Sequence, residues 1–136
     1  MAQFSWTDDL YTGNTLIDGD HRKLVGLVNA LFEAMEKGQA SDIVSKAMND
    51  LIVYTREHFA REETEMQRIE YVAWLAHKSE HAKLIKQVEE LMAIVDSGGK
   101  MNVPAVSVFL DEWLRNHILT ADLKLAAALK RRTQTA

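Results

Sequence analysis

All five histidines of this 136-residue chain, His21, His58, His77, His81 and His117, fall on stripes that read as the inward faces of helices, and two acids, Glu62 and Asp122, share those stripes. Imidazole nitrogens and carboxylate oxygens together are ligands for divalent transition metals. His58-x-x-x-Glu62 and His77-x-x-x-His81 are i,i+4 pairs, so on a helix both members stand on one face a turn apart, as chelation of one ion or of two adjacent ions requires. His117 and Asp122 are five residues apart and diverge by about 140° on an ideal helix. Either a local π-type widening brings them together or Asp122 reaches in from the side. Burying so many polar groups without partners costs several kcal/mol in total, and a bound metal would offset that cost. Cysteine is absent, which excludes disulfides, thiolate metal sites, iron–sulfur clusters and cysteine nucleophiles.

Seven ligands exceed what one tetrahedral ion uses. Five imidazoles and two bidentate carboxylates suit two six-coordinate ions with the carboxylates bridging, and a shared oxygen bridge then leaves one coordination position free. A free position on a dinuclear site is where a small molecule binds. Imidazole serves iron, copper, zinc and nickel, so spacing alone does not name the metal.

The elements that position these residues follow from periodicity. Residues 1–17 lack it, hold Gly13 and Asn14, and read as an N-terminal arm. From residue 18, with Asp18 or Asp20 as cap, His21, Leu24, Val25, Val28, Leu31, Phe32 and Met35 define an amphipathic helix that Gly38 ends. Ser41 caps a second, whose stripe is Ile43, Ala47, Leu51, Tyr54, His58 and Glu62; the period breaks around Arg68–Tyr71. A third carries His77, His81, Leu84, Val88, Leu91 and Val95 and stops at Gly98-Gly99. Asn102 or Val103 caps a fourth, with Pro104 just inside and a stripe of Val106, Leu110, Trp113, His117, Ala121 and Leu125. Lys130-Arg131-Arg132 suits a helix C-terminus. The fold expected is all-α: an up-down-up-down antiparallel four-helix bundle over 18–131 within a single domain, 1–136. Counted from the end that holds the first and third loops, all seven candidate ligands lie at depths of roughly 20–32 Å, which puts them in one layer.

Composition narrows the function. One proline and six glycines favour long helices over a many-turned sheet protein. A net charge of −4 gives nucleic-acid binding no electrostatic footprint. No apolar run approaches the roughly 20 residues that span a bilayer, and the first residues do not read as a secretory signal. A cytoplasmic protein without membrane insertion is expected.

At the seven residues the chain resembles the hemerythrin family, in particular the single-domain bacterial hemerythrins. The pattern H…HxxxE…HxxxH…HxxxxD is present as His21, His58 to Glu62, His77 to His81 and His117 to Asp122, with the lead-in Trp6…Asp18-x-Asp20-His21, and no ligand position departs from it. The resemblance implies two iron ions (Fe2+/Fe3+) with an oxo or hydroxo bridge and reversible O2 binding without catalysis, for transport, storage or delivery to an unidentified O2-consuming recipient. It implies that His77, His81 and His117 hold a saturated iron, that His21 and His58 hold one with an open position, and that Glu62 and Asp122 bridge. Leu24, Phe59, Trp113, Leu114 and Ile118, large apolar residues within a turn of the ligands, resemble the family's oxygen pocket, whose dry walls would exclude water and protons.

The competing functions are a di-iron oxidase or scavenger of nitric oxide or peroxide, an O2 or redox sensor, and a metal store or structural zinc site. The Glu-x-x-His pairs of ferritin-like sites are absent here. A sensor is expected to join an output domain, and the chain ends four residues after Arg132. Glu63, Glu65, Glu89, Glu90 and Glu112 are expected on solvated faces; Asp20 and Glu57, which flank candidate ligands, are expected in capping or solvent before any role in supporting those ligands. Tyr54 is expected to serve packing before any role at the site, and Met66 to pack in the core or cover the site's mouth.

Overall fold

The computed structural model describes residues 3–98 and 102–135. Four rods form an all-α bundle: α1 Thr15–Glu36, α2 Ser41–Arg68, α3 Trp74–Asp96, and a fourth built from α4 Val103–His117 and α5 Leu123–Thr135. The fourth rod is continuous through a π-helical turn, Ile118–Asp122. Short loops join the rods, so neighbours along the chain run antiparallel.

The starts and stops follow local chemistry. The Asn14 side chain accepts from Ile17 N–H at 3.0 Å and caps α1. The helix therefore begins three residues before the expected residue 18. Asp18 does not cap it but turns back to accept from Thr12 N–H, Thr12 Oγ1 and Gly13 N–H. At the other end Gly38 takes φ 62° and Gln39 N–H reaches Ala34 O, the closure that favours glycine. Ser41 is the first residue of α2 and supplies no side-chain cap. Asn102 accepts from Ala105 N–H at 3.0 Å with Pro104 inside the first turn of α4. Gly99 lies outside the described residues.

The core runs the length of the bundle through Leu24, Val28, Leu31, Met48, Leu51, Val88 and Leu110. Ile43, expected in the seam of α2, is exposed; Val44 and Met48 take the inward positions, and Leu91 is only partly buried. A smaller apolar cluster of Ile17, Met66, Ile69, Leu125, Ala126 and Leu129 closes the end beyond the histidine layer, and Met66 belongs to it. The arm is pinned at several points. Asn29 accepts from Phe4 N–H and donates to Phe4 O, Arg115 lies over the Phe4 ring and donates to Ser5 O and Thr7 Oγ1, and Arg22 lies over both the Trp6 and the Tyr11 ring. A short 3-10 turn, Asp8–Leu10, lies against the π turn and buries Leu10.

Candidate metal centre

The inward faces of four helices deliver the polar layer. α1 supplies His21, α2 His58 and Glu62, α3 His77 and His81, and the fourth rod His117 and Asp122; all seven are buried. The π turn lies between His117 and Asp122. A π turn holds more residues per turn than an α turn, so it removes the angular divergence of a five-residue spacing. Of the two arrangements left open by the spacing, the widened helix is the one adopted.

Ligand-type atoms gather into two overlapping groups, each mutually within 4.8 Å: Glu62, His77, His81, His117 and Asp122 in one, His21, His58, Glu62 and Asp122 in the other. The shared carboxylates divide their oxygens between the two. Glu62 Oε1 lies 3.2 Å from His77 Nε2 and 3.0 Å from His81 Nε2, while Oε2 lies 2.9 Å from His58 Nε2. Asp122 Oδ1 lies 3.1 Å from His77 Nε2 and 3.2 Å from His117 Nε2, while Oδ2 lies 2.8 Å from His21 Nε2.

These separations have hydrogen-bond length, but most lack hydrogen-bond direction. Nε2 of His21, His58, His77 and His117, Oε2 of Glu62 and both oxygens of Asp122 have no hydrogen-bond partner among the described residues. Only His81 Nε2 and Glu62 Oε1 meet in that geometry. Lone pairs aimed at a common point rather than at each other are what ligands around an ion present. At metal–ligand distances of about 2.1 Å, two ligands at right angles stand about 3.0 Å apart, which matches the spacing here. The donor set therefore fits a pair of metal ions.

Electrostatics tell the same story. Burial pushes His58 and His77 down, but the acids outweigh it: the bond to Asp20 and the nearby Glu62 carboxylate lift His58 to about 9, and Asp122 and Glu62 lift His77 to about 9. His21 is raised against its burial by Asp122 and Glu62. Glu62 and Asp122, which burial alone would raise, are held well below the usual carboxylate range; the surrounding imidazoles hold both down. The layer is a sink for positive charge.

Two acids expected in solvent or at a cap bind the outer nitrogens instead. Asp20 Oδ2 accepts from His58 Nδ1 at 2.8 Å, and Asp20 also accepts from Arg61 Nε at 2.9 Å, Arg61 Nη2 at 3.0 Å and Tyr54 OH at 2.7 Å. Burial opposes ionisation of Asp20, but these donors hold its carboxyl far below the usual range, and burial together with Asp20 pushes Tyr54 up to about 12. Glu63 Oε2 accepts from His81 Nδ1 at 2.8 Å. A sequence signal existed for the first group: Tyr54, His58 and Arg61 share one helix face, and Asp20 adjoins His21. None existed for Glu63. Glu57, Glu89, Glu90 and Glu112 are exposed as expected, and Glu65 is half-buried against Arg68.

Beside the two-histidine group lies a narrow apolar recess of about 10 Å³, room for about one water-sized molecule. Leu24, Phe59, Leu84, Trp113 and Leu114 line it together with His21, His58, His117 and Asp122. Ile118, expected there, is fully buried but does not line the recess; Leu84, not singled out in the sequence, does. Trp113 is fixed by donating Nε1–H to Leu84 O at 3.1 Å, and Phe59 stacks on the His81 ring at 3.7 Å.

Comparison with known proteins bears on the whole chain. The hemerythrin HHE cation binding domain profile matches residues 12–129. The bacteriohemerythrin of Pseudomonas paraeruginosa is 33% identical over 130 residues, covering 96% of this chain and 84% of that protein. That of Methylococcus capsulatus is 34% identical over 123 residues, covering 90% and 93%. A crystal structure of wild-type hemerythrin superposes with a TM-score of 0.83 at 31% identity, covering 92% of this chain and 96% of that one.

Proposed function

The chain belongs to the hemerythrin family, and from that premise we propose that it binds O2 reversibly at a non-haem di-iron centre, as a carrier, store or delivery protein rather than an enzyme. The observation that carries this reading is the division of each carboxylate between the two imidazole groups. His77, His81 and His117 would hold one iron, His21 and His58 the other, and Glu62 and Asp122 would bridge. When bound, the ferrous pair with its oxo or hydroxo bridge supplies the electrons that O2 takes up and gives back.

The rest is done by the chain. Three imidazoles and two carboxylate oxygens face one position, two imidazoles and two oxygens the other, so a free coordination place would fall on the His21–His58 side. The apolar recess opens beside those two histidines. Leu24, Leu84 and Leu114 offer no hydrogen bond, and the Trp113 N–H is already committed to Leu84 O. With the imidazoles and Asp122 engaged by the metals, water would find little left to bind there, and the recess would keep protons and solvent away from a small ligand such as O2. Asp20 and Glu63 fix the ring orientation of His58 and His81 from behind.

The test is an iron count and an optical spectrum of the purified protein, with and without O2. Two irons per chain and a spectrum that changes and recovers over repeated O2 cycles are expected. One metal per folded chain, or steady O2 consumption with an ordinary reductant, would overturn the carrier reading.

A further inference from the structure

We infer that the two halves of the centre are tuned unequally from outside, by a bare carboxylate behind His81 and a neutralised one behind His58. The inference rests on the di-iron reading above. Each half has one histidine whose Nδ1 meets an acid at 2.8 Å: His81 with Glu63, His58 with Asp20. An ionised carboxylate only accepts, so Nδ1 carries the hydrogen in both rings and Nε2 is left to the metal. His21 and His117 have no such partner at Nδ1 among the described residues.

The two acids differ in charge balance. Asp20 is mostly buried, and Arg61 grips both its oxygens while Tyr54 donates a further hydrogen bond. Asp20 and Arg61 together add no net charge to the two-histidine half. Glu63 sits in an open cleft of about 370 Å³ between α2 and α3, and among the described residues no lysine or arginine nitrogen lies within 4.0 Å of it. The two cations that line the same cleft are engaged elsewhere: Arg56 pairs with Glu89, and Lys78 lies over the Trp74 ring. Glu63 therefore adds a full negative charge to the three-histidine half, attenuated by the solvent that reaches it.

A carboxylate drawing on an imidazole N–H makes the ring a stronger donor, and a net negative charge nearby favours the more positive ion. The iron on the three-histidine side is thus the easier to oxidise. The iron on the O2 side holds its electron more firmly because Arg61 cancels Asp20. Glu63 acts through His81 Nδ1 and Arg61 through Asp20, neither reaching a metal position itself, and their opposite charges give their removal opposite signs.

The experiment is a reductive titration of the diferric protein with mediators, dithionite supplying one electron per iron, on wild type, Glu63→Gln, Arg61→Gln and Arg61→Lys, each checked for helix content and iron count. Glu63→Gln should raise a midpoint potential and Arg61→Gln should lower one, each by about tenfold in the one-electron equilibrium, about 59 mV. Arg61→Lys, which keeps the charge, should stay near wild type. Shifts of the same sign, no shift in either variant, or iron loss in both with helix content intact would mean that the two residues only hold the rings in place, and would overturn the inference. If Glu63→Gln alone loses iron, the Arg61→Gln and Arg61→Lys pair still decides. A wild type holding fewer than two irons overturns the di-iron reading and this inference with it; two irons with unmoved potentials overturns this inference alone.

Discussion

A carboxylate that spreads its oxygens over two metal positions is worth more to the site than one that serves a single position, and this sets the first expectation. Glu62→Ala or Asp122→Ala removes a carboxylate that both groups share, so under the proposed bridging role iron content should fall well below that of Glu90→Ala, which changes an exposed helix residue and should be nearly silent. Equal iron in all three would refute the bridging assignment. Leu114 lines the recess one turn before His117 without being a ligand. Leu114→Asn should load two irons and still bind O2, but decay to the diferric form faster in air, since about 1.4 kcal/mol of barrier is tenfold in rate. Leu91→Asn is the control: Leu91 is only partly buried and lies ten residues from His81, roughly 15 Å along the helix. Decay of the oxy absorbance should accelerate in the first variant and not in the second; equal rates would remove the recess from the O2 chemistry.

Helices carry the site only if their phase is right, and their ends set that phase. Asn14 caps α1 through its side chain, whereas Ser41 at the start of α2 makes no cap bond. Denaturant unfolding should therefore show Asn14→Ala costing about 1 kcal/mol and Ser41→Ala staying within about 0.5 kcal/mol. A reversed order would mean that the helix starts are not as described. The π turn is the other decisive element. A regular α-helix through 118–122 would send Asp122 away from His117, so the widened turn is what lets one rod contribute two residues to the layer. The 3-10 turn of the arm lies against this turn and so supports the least regular stretch of the bundle.

At the scale of the whole molecule, metal and fold are linked. The buried layer holds nitrogen and oxygen atoms with no partner among the described residues, and an ion that binds only the folded chain stabilises it by mass action. At a free iron level about a hundredfold above the dissociation constant the gain is about 2.7 kcal/mol, of the order of 10 °C in melting temperature for a chain this size. Chelated protein should keep its helical circular dichroism and melt lower by about that amount; an unchanged melting temperature would mean the layer is satisfied without metal. Much of this was legible beforehand. Rise and angle per residue are fixed in a helix, so the spacing of His58 with Glu62 and of His77 with His81, and the equal depth of all seven residues, followed from sequence, as did four rods with short loops. The sequence also narrowed His117 and Asp122 to two geometries, and only the folded chain chose the π turn, because both leave the same composition along the strip. Periodicity says which face of a helix turns inward but not which side chain on the next helix meets its edge. Ile43 was therefore misplaced by one position, and the partners of the outer nitrogens, Glu63 with His81 and Asp20 with His58, stayed hidden. Those pairs lie 18 and 38 residues apart, and they form because the rotation of each rod about its axis, set by packing along the whole core, brings their edges within 2.8 Å.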